Sequence, residues 1–209
     1  MSEKKLRFET LQIHGGYSVD DTGSRGAAIY PTAAYHFKTC DYAARLFELK
    51  EFGNIYTRLQ NPTTSSYEER IAALEGGVGA LAVASGMSAQ LIALTSLADC
   101  GDNIVASPYL YGGTFNQFKI TFRKLGIDCR LGHDDSVAEL ERLIDDRTKA
   151  IYVEAMSNPG CSVPDLEGLA DLARRVVPDT HGAADRKHRP ILLAGGETLA
   201  ASLGMRNIS

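Results

Sequence analysis

The chain lacks any apolar run near the roughly 20 residues a membrane-crossing helix needs, which excludes a membrane span of that kind. It also lacks a basic surplus. Its 22 Lys and Arg against 26 Asp and Glu give a net charge of −4, without a basic run or aromatic-basic interleaving, which argues against nucleic acid as the main partner. Cysteine is sparse and dispersed: Cys40, Cys100, Cys129 and Cys161 form no C-x-x-C pair, so neither a disulfide framework nor a zinc site is expected. The five histidines lack metal spacing; His181 and His188 are seven apart in a polar tail. No G-x-G-x-x-G occurs, which removes support for a Rossmann-type nucleotide binder. Met1-Ser2-Glu3-Lys4-Lys5 leads into no apolar signal-like segment, so a cytoplasmic protein is the expectation.

What is present is ordinary globular material: 209 residues, 44% hydrophobic and 23% charged, enough for one medium core. Residues 1–60 look irregular, with one helix predicted over 41–50 that places Ala43, Ala44, Leu46 and Phe47 on one side. From Asn61 the pattern alternates. A helix follows Asn61-Pro62 and stops at Gly76-Gly77; residues 79–85 (GALAVAS) read as a buried strand; 87–97 read as a helix. Strands are predicted over 103–106, 127–131 and 150–154, separated by helices over 114–125 and 136–144 and followed by one over 165–175. Strands spaced by helices of this length imply parallel pairing with helices on both faces, an α/β sandwich. After Val176 the rhythm is lost, although a short strand or helix could hide around Ile191-Leu192-Leu193.

The most informative segment is Tyr56-Thr57-Arg58-Leu59-Gln60-Asn61-Pro62-Thr63. A tyrosine and an arginine this close, in a stretch read as extended, can present a hydroxyl and a guanidinium fork to one phosphate. Ser85-Gly86-Met87-Ser88-Ala89-Gln90 opens a helix after an apolar segment, where free backbone N–H groups and the helix dipole favour an anion. Tyr111-Gly112-Gly113-Thr114 is a glycine turn into a helix, and Asn158-Pro159-Gly160 is a turn after the strand ending at Glu154.

Together these strings resemble the Cys/Met-metabolism family of pyridoxal 5'-phosphate (PLP) enzymes, almost continuously from Phe8 to Arg175. The form of residues 43–58, the S-G-M-S-A-Q string and Leu74-Glu75-Gly76-Gly77-Val78 are most like O-acetylhomoserine sulfhydrylases. Cystathionine gamma-synthase or lyase and methionine gamma-lyase are the nearby alternatives. The resemblance implies the large domain of the fold type I PLP-dependent transferases, here truncated, and gamma-replacement of acetate in O-acetylhomoserine by sulfide or methanethiol, giving homocysteine or methionine. It further implies PLP phosphate on the amides at Gly86 and Met87, with Tyr56 and Arg58 reaching that phosphate from a neighbouring subunit of a homo-oligomer. By the same resemblance Tyr111 stacks on the ring and relays protons, and Asn158 lies near the ring hydroxyl.

The family also uses a Schiff-base lysine in S-x-T-K and an aspartate in D-N-T, and neither string is found. Pro178-Asp179-Thr180-His181 is a damaged remnant at best, Lys187 lacks the motif around it, and Lys119, Lys124 and Lys149 sit on predicted helix or strand positions. The expected organisation is therefore an arm and phosphate-contact segment over 1–60, a partial PLP-binding domain over 61–175, and an atypical tail over 176–209 from a frameshift or altered splice. Such a chain is expected to be inactive alone, or to associate with a full-length homologue.

Overall fold

A computed structural model describes residues 6–158, 160–176 and the backbone of 191–195. The chain divides into two compact units, one reaching Ala82 and one beginning at Val83.

Three helices frame the first unit: α1 (Phe8–His14), α2 (Cys40–Phe47) and α3 (Pro62–Glu75). Helix α3 forms where the sequence supplies both ends. The Asn61 side chain accepts the Thr63 N–H at 2.9 Å, Pro62 occupies the first turn, and Gly76 closes the helix at φ 65°. Helix α2 is capped by Thr39, but of the four side chains predicted to share its apolar side only Leu46 is buried. Phe47 stays exposed, edge-on to Phe37 at 6.1 Å.

Helix α1 is an addition to the single helix expected before Asn61. Its first residue follows Arg7, which makes no capping bond, and the helix buries no residue. What holds it is the turn that follows. Arg70 of α3 donates to the Gly15 carbonyl at 2.8 Å, and Gly16 (φ +68°) sits so close that a Cβ there would lie 2.3 Å from the Ser66 carbonyl oxygen.

The second unit contains a parallel sheet of β1 (Asn103–Ala106), β2 (Asp128–Leu131), β3 (Thr148–Glu154) and β4 (Ile191–Gly195), in the order β2-β1-β3-β4. Helix α4 (Gly86–Thr95) precedes β1; α5 (Gly112–Asn116) continues as a π-helical segment over Gln117–Phe122; α6 (Val137–Arg142) and α7 (Leu166–Arg175) flank β3. Alternation along the strands explains the layering. Ile104, Ala106, Ala150 and Tyr152 pack with Leu94, Phe118 and Phe122. Val105, Ile151 and Val153 pack with Leu140, Leu169 and Leu172. The sheet therefore has helices on both faces, as the α/β reading required.

Two expectations change. Residues 79–85 form no strand: the Ala82 N–H bonds the Glu68 carboxylate at 2.7 Å, and no described strand lies beside them. An apolar extended run becomes a strand only when a partner supplies the ladder. Conversely, 191–195 do form a strand, paired in parallel with β3 from Ala150↔Ile191 to Glu154↔Gly195. Asp179, His181, Lys187 and His188 lie outside the described residues.

The edge where β1 and β3 begin is closed by a charged lattice. Buried Asn103 donates to Asp145 at 2.7 Å, and Arg130 reaches the same carboxylate at 2.8 Å. These hydrogen bonds hold Asp145 well below the usual carboxylate range. Lys149 is buried here beside Asp102, 3.7 Å away.

Candidate functional site

At the opposite edge of the sheet lie the predicted site residues of the second unit. From β1 the chain moves outward to β2, then crosses back to β3 and outward to β4, so the strand order reverses between β1 and β3. In open α/β sheets ligands bind outside the carboxyl ends of the strands at such a switch point. The loop after β1 holds Tyr111, and its N–H donates to the carboxylate of Glu154, the last residue of β3, at 2.8 Å. The loop after β3 leads within four residues to Asn158, which is half-buried.

Helix α4 runs back against β1, which brings its first turn to this same edge. Ser85 caps it: the Ser88 N–H donates to Ser85 Oγ at 3.2 Å, and the Ala89 N–H donates to the Ser85 carbonyl at 3.0 Å. The N–H groups of Gly86 and Met87 are left without a hydrogen bond among the described residues. Space around Gly86 is open, since nothing lies within 4 Å of where a Cβ would stand. Two amides left unbonded at the positive end of a helix dipole, with open space beside Gly86, are a candidate anion cradle. Tyr111 borders it. A Cβ on Gly113 would lie 2.5 Å from Tyr111 Cε1 and 3.3 Å from Met87 Sδ, so the tyrosine ring and Met87 close around a glycine that has no room for a side chain.

Beneath the cradle lies a buried polar network that the sequence reading missed. Gln90 Oε1 accepts from Tyr152 Oη at 3.0 Å and Thr114 Oγ1 at 3.3 Å. Gln90 Nε2 donates to Gln117 Oε1 at 2.5 Å, and Gln117 Nε2 donates to the Met87 carbonyl at 3.2 Å. Burial, reinforced by the Glu154 carboxylate, pushes the Tyr152 phenol well above its ordinary range, so it stays a protonated donor. The one available signal was Gln90 itself, an amide inside the apolar run of α4.

In the first unit, Tyr56 and Arg58 are brought together, but by a turn and not by an extended stretch. The Leu59 and Gln60 N–H groups both donate to the Tyr56 carbonyl, at 2.8 and 3.0 Å, and this turn lays the Arg58 guanidinium 4.7 Å from the centre of the Tyr56 ring. Arg58 is exposed and has no ion pair among the described residues. The other residues of the string hold the scaffold. Asn61, buried, donates to the Tyr30 carbonyl at 3.0 Å and to Thr57 Oγ1 at 3.2 Å; Thr63 Oγ1 donates to the Ala28 carbonyl and accepts the Tyr30 N–H, each at 2.9 Å.

No cluster of metal-ligating side chains occurs among the described residues, and none of their helices is long and apolar enough to cross a membrane. No disulfide joins the cysteines among the described residues. Cys40, Cys100 and Cys161 are exposed, and burial with the Asp128 charge pushes the Cys129 thiol up to about 12.

Comparison with known proteins gives a consistent result. The profile of the Cys/Met metabolism PLP-dependent enzymes matches residues 9–181. The chain is 51% identical over 193 residues to O-acetyl-L-homoserine sulfhydrylase 1 of Thermus thermophilus, covering 89% of this chain and 46% of that protein. It is 48% identical over 197 residues to homocysteine synthase of Schizosaccharomyces pombe, covering 91% and 46% respectively. A Campylobacter jejuni structure assigned as an O-acetylhomoserine (thiol)-lyase, which contains N'-pyridoxyl-lysine-5'-monophosphate, superposes with a TM-score of 0.80 at 38% identity, over 91% of this chain and 44% of that one. The chain thus spans just under half the length of these relatives. With the profile matching most of its length, and with an α/β sheet that superposes on a PLP-dependent relative, the chain belongs to the Cys/Met metabolism PLP-dependent enzyme family.

Proposed function

We propose that this chain supplies the phosphate-holding part of a PLP site in an O-acetylhomoserine sulfhydrylase, which replaces the acetate of O-acetylhomoserine by sulfide or methanethiol to give homocysteine or methionine. The observation that carries this reading is the pair of unbonded amides at Gly86 and Met87, placed at the sheet's switch point in a chain of this family. When bound, PLP supplies an electron sink for amino-acid chemistry. The protein's part here is binding and orientation. Gly86 and Met87 would hold the phosphate, and Tyr111 and Asn158 would contact the ring and its hydroxyl. Tyr56 and Arg58 would serve the phosphate of a second copy in a homo-oligomer, a role supported by the exposure of Arg58, by its stacking on the half-buried Tyr56 ring and by the guanidinium's having no carboxylate partner among the described residues.

Turnover by this chain alone is not part of the proposal. Among the described lysines of the second unit, Lys149 is committed to Asp102 at the far edge of the sheet, Lys119 lies 5.0 Å from the Phe115 ring, and Lys124 is exposed near the end of its helix. A second reading follows from the exposed Arg58 stacked on Tyr56: the chain donates these groups to a full-length homologue's site without catalysing anything itself.

Adding PLP, reducing with borohydride and mapping the product by mass spectrometry tests whether this chain holds the cofactor covalently. The expected result is no uniquely labelled lysine in the isolated chain. Stoichiometric labelling at one lysine would show that this chain holds the cofactor covalently and would overturn the inactivity.

A further inference from the structure

The Gly86 and Met87 amides lie on a turn whose position is set from below by side chains that never reach the cradle. Ser85 fixes the outer side of this turn through the Ser88 N–H. Its inner side is fixed by Gln117, which donates to the Met87 carbonyl. Gln117 is in turn gripped by Gln90, and Gln90 by Tyr152 of β3 and Thr114 of α5. Every donor and acceptor of the Gln90 amide is used, its second Nε2 hydrogen meeting Met87 Sδ at 3.4 Å, in a site where its residue is only 6% exposed. A saturated buried network of this kind is stiff, because breaking one link strands a polar group away from water. Gln117 opens the π-helical segment, a distortion found often at functional sites, which places its side chain toward α4 while Phe118 and Phe122 stay in the core.

We propose that Gln90, Gln117 and Tyr152 are positioning residues that preorganise the Met87 end of the cradle and so set its affinity for a phosphate monoester. They contact the helix and not the ligand. The inference rests on the phosphate reading above, and the test keeps the two apart.

Titration calorimetry of the full chain with pyridoxine 5'-phosphate and with pyridoxine measures the phosphate preference, and neither probe has the aldehyde that would label lysines. The wild-type chain is expected to prefer the phosphorylated form. Gln117→Leu, which removes the side-chain donor to the Met87 carbonyl, should reduce that preference about tenfold while leaving pyridoxine affinity unchanged. Tyr152→Phe removes only a hydroxyl and should reduce it about threefold; it carries the test if Gln117→Leu does not fold. An unchanged preference in the folded variants would overturn the proposal and leave the phosphate site standing. So would a parallel fall in both affinities, which would mark the network as merely structural. A wild-type chain that binds both probes equally would overturn the phosphate reading and this inference with it.

Discussion

Gly86→Pro is expected to weaken PLP binding by roughly 10- to 150-fold while leaving the chain at least as stable as before. The position allows this separation for four reasons. Gly86 is the first residue of α4, where a missing N–H breaks no helical bond and proline's fixed φ suits the turn. Ser85, at φ −159° and ψ 156°, already has the extended backbone that a following proline requires. Beyond its own chain neighbours and helix backbone, nothing stands within 4 Å of the new Cβ, so that atom meets no packed group. The N–H that disappears is one of the two free donors, and a hydrogen bond to a charged acceptor contributes about 1.5–3 kcal/mol. A shorter list of unfolded conformations should add about 0.4–1 kcal/mol of stability. Paired urea melts and ligand titrations on the two chains check both halves. Loss of binding with loss of stability would mean that the fold was damaged and the amide was not the cause.

The second large effect concerns the core that carries the network. Phe118→Ala is expected to cost about 3–5 kcal/mol, a large part of the 5–15 kcal/mol that holds a domain together. Phe118 is essentially buried and packs edge-on against Phe122 at 5.5 Å and Tyr152 at 5.0 Å. Truncating it opens a cavity under Tyr152, the residue that orients Gln90. Ile120 lies on the same π-helical segment with half its surface exposed, and Ile120→Ala should shift stability by only about 0.5 kcal/mol. The difference between their urea midpoints measures burial with the local backbone held constant.

These energetics also explain which features could be read from the sequence. β1 was legible to the residue because Asn103-Ile104-Val105-Ala106 is a short buried run between turn signals. α3 was legible because its caps are local: Asn61 and Pro62 at one end, Gly76 at the other. α1 was not, because its stability comes from Gly15 and Gly16 docking on α3, more than fifty residues away in the chain. Residues 79–85 failed for the opposite reason. Their composition suits a strand, but composition cannot provide the neighbour that completes a ladder.

Among the candidate residues, Gly86, Met87, Tyr111 and Asn158 were legible as turns at the ends of apolar segments, and Tyr56 and Arg58 of the first unit as a paired cation and hydroxyl. The turn that stacks Arg58 on Tyr56 was not, since it depends on Thr57 and Asn61 bonding to the 28–35 segment. Gln117 carried no local signal at all. Its role exists only because the sheet brings α4 and the π-helical segment to the same face.

The central claim, that the first turn of α4 holds a cofactor phosphate, is tested most directly by amide NMR of the nitrogen-15-labelled chain. Adding pyridoxine 5'-phosphate should move the Gly86 and Met87 N–H resonances further than any others, in a saturable way, and pyridoxine should leave them in place. Unmoved Gly86 and Met87 resonances at saturating pyridoxine 5'-phosphate would contradict the account.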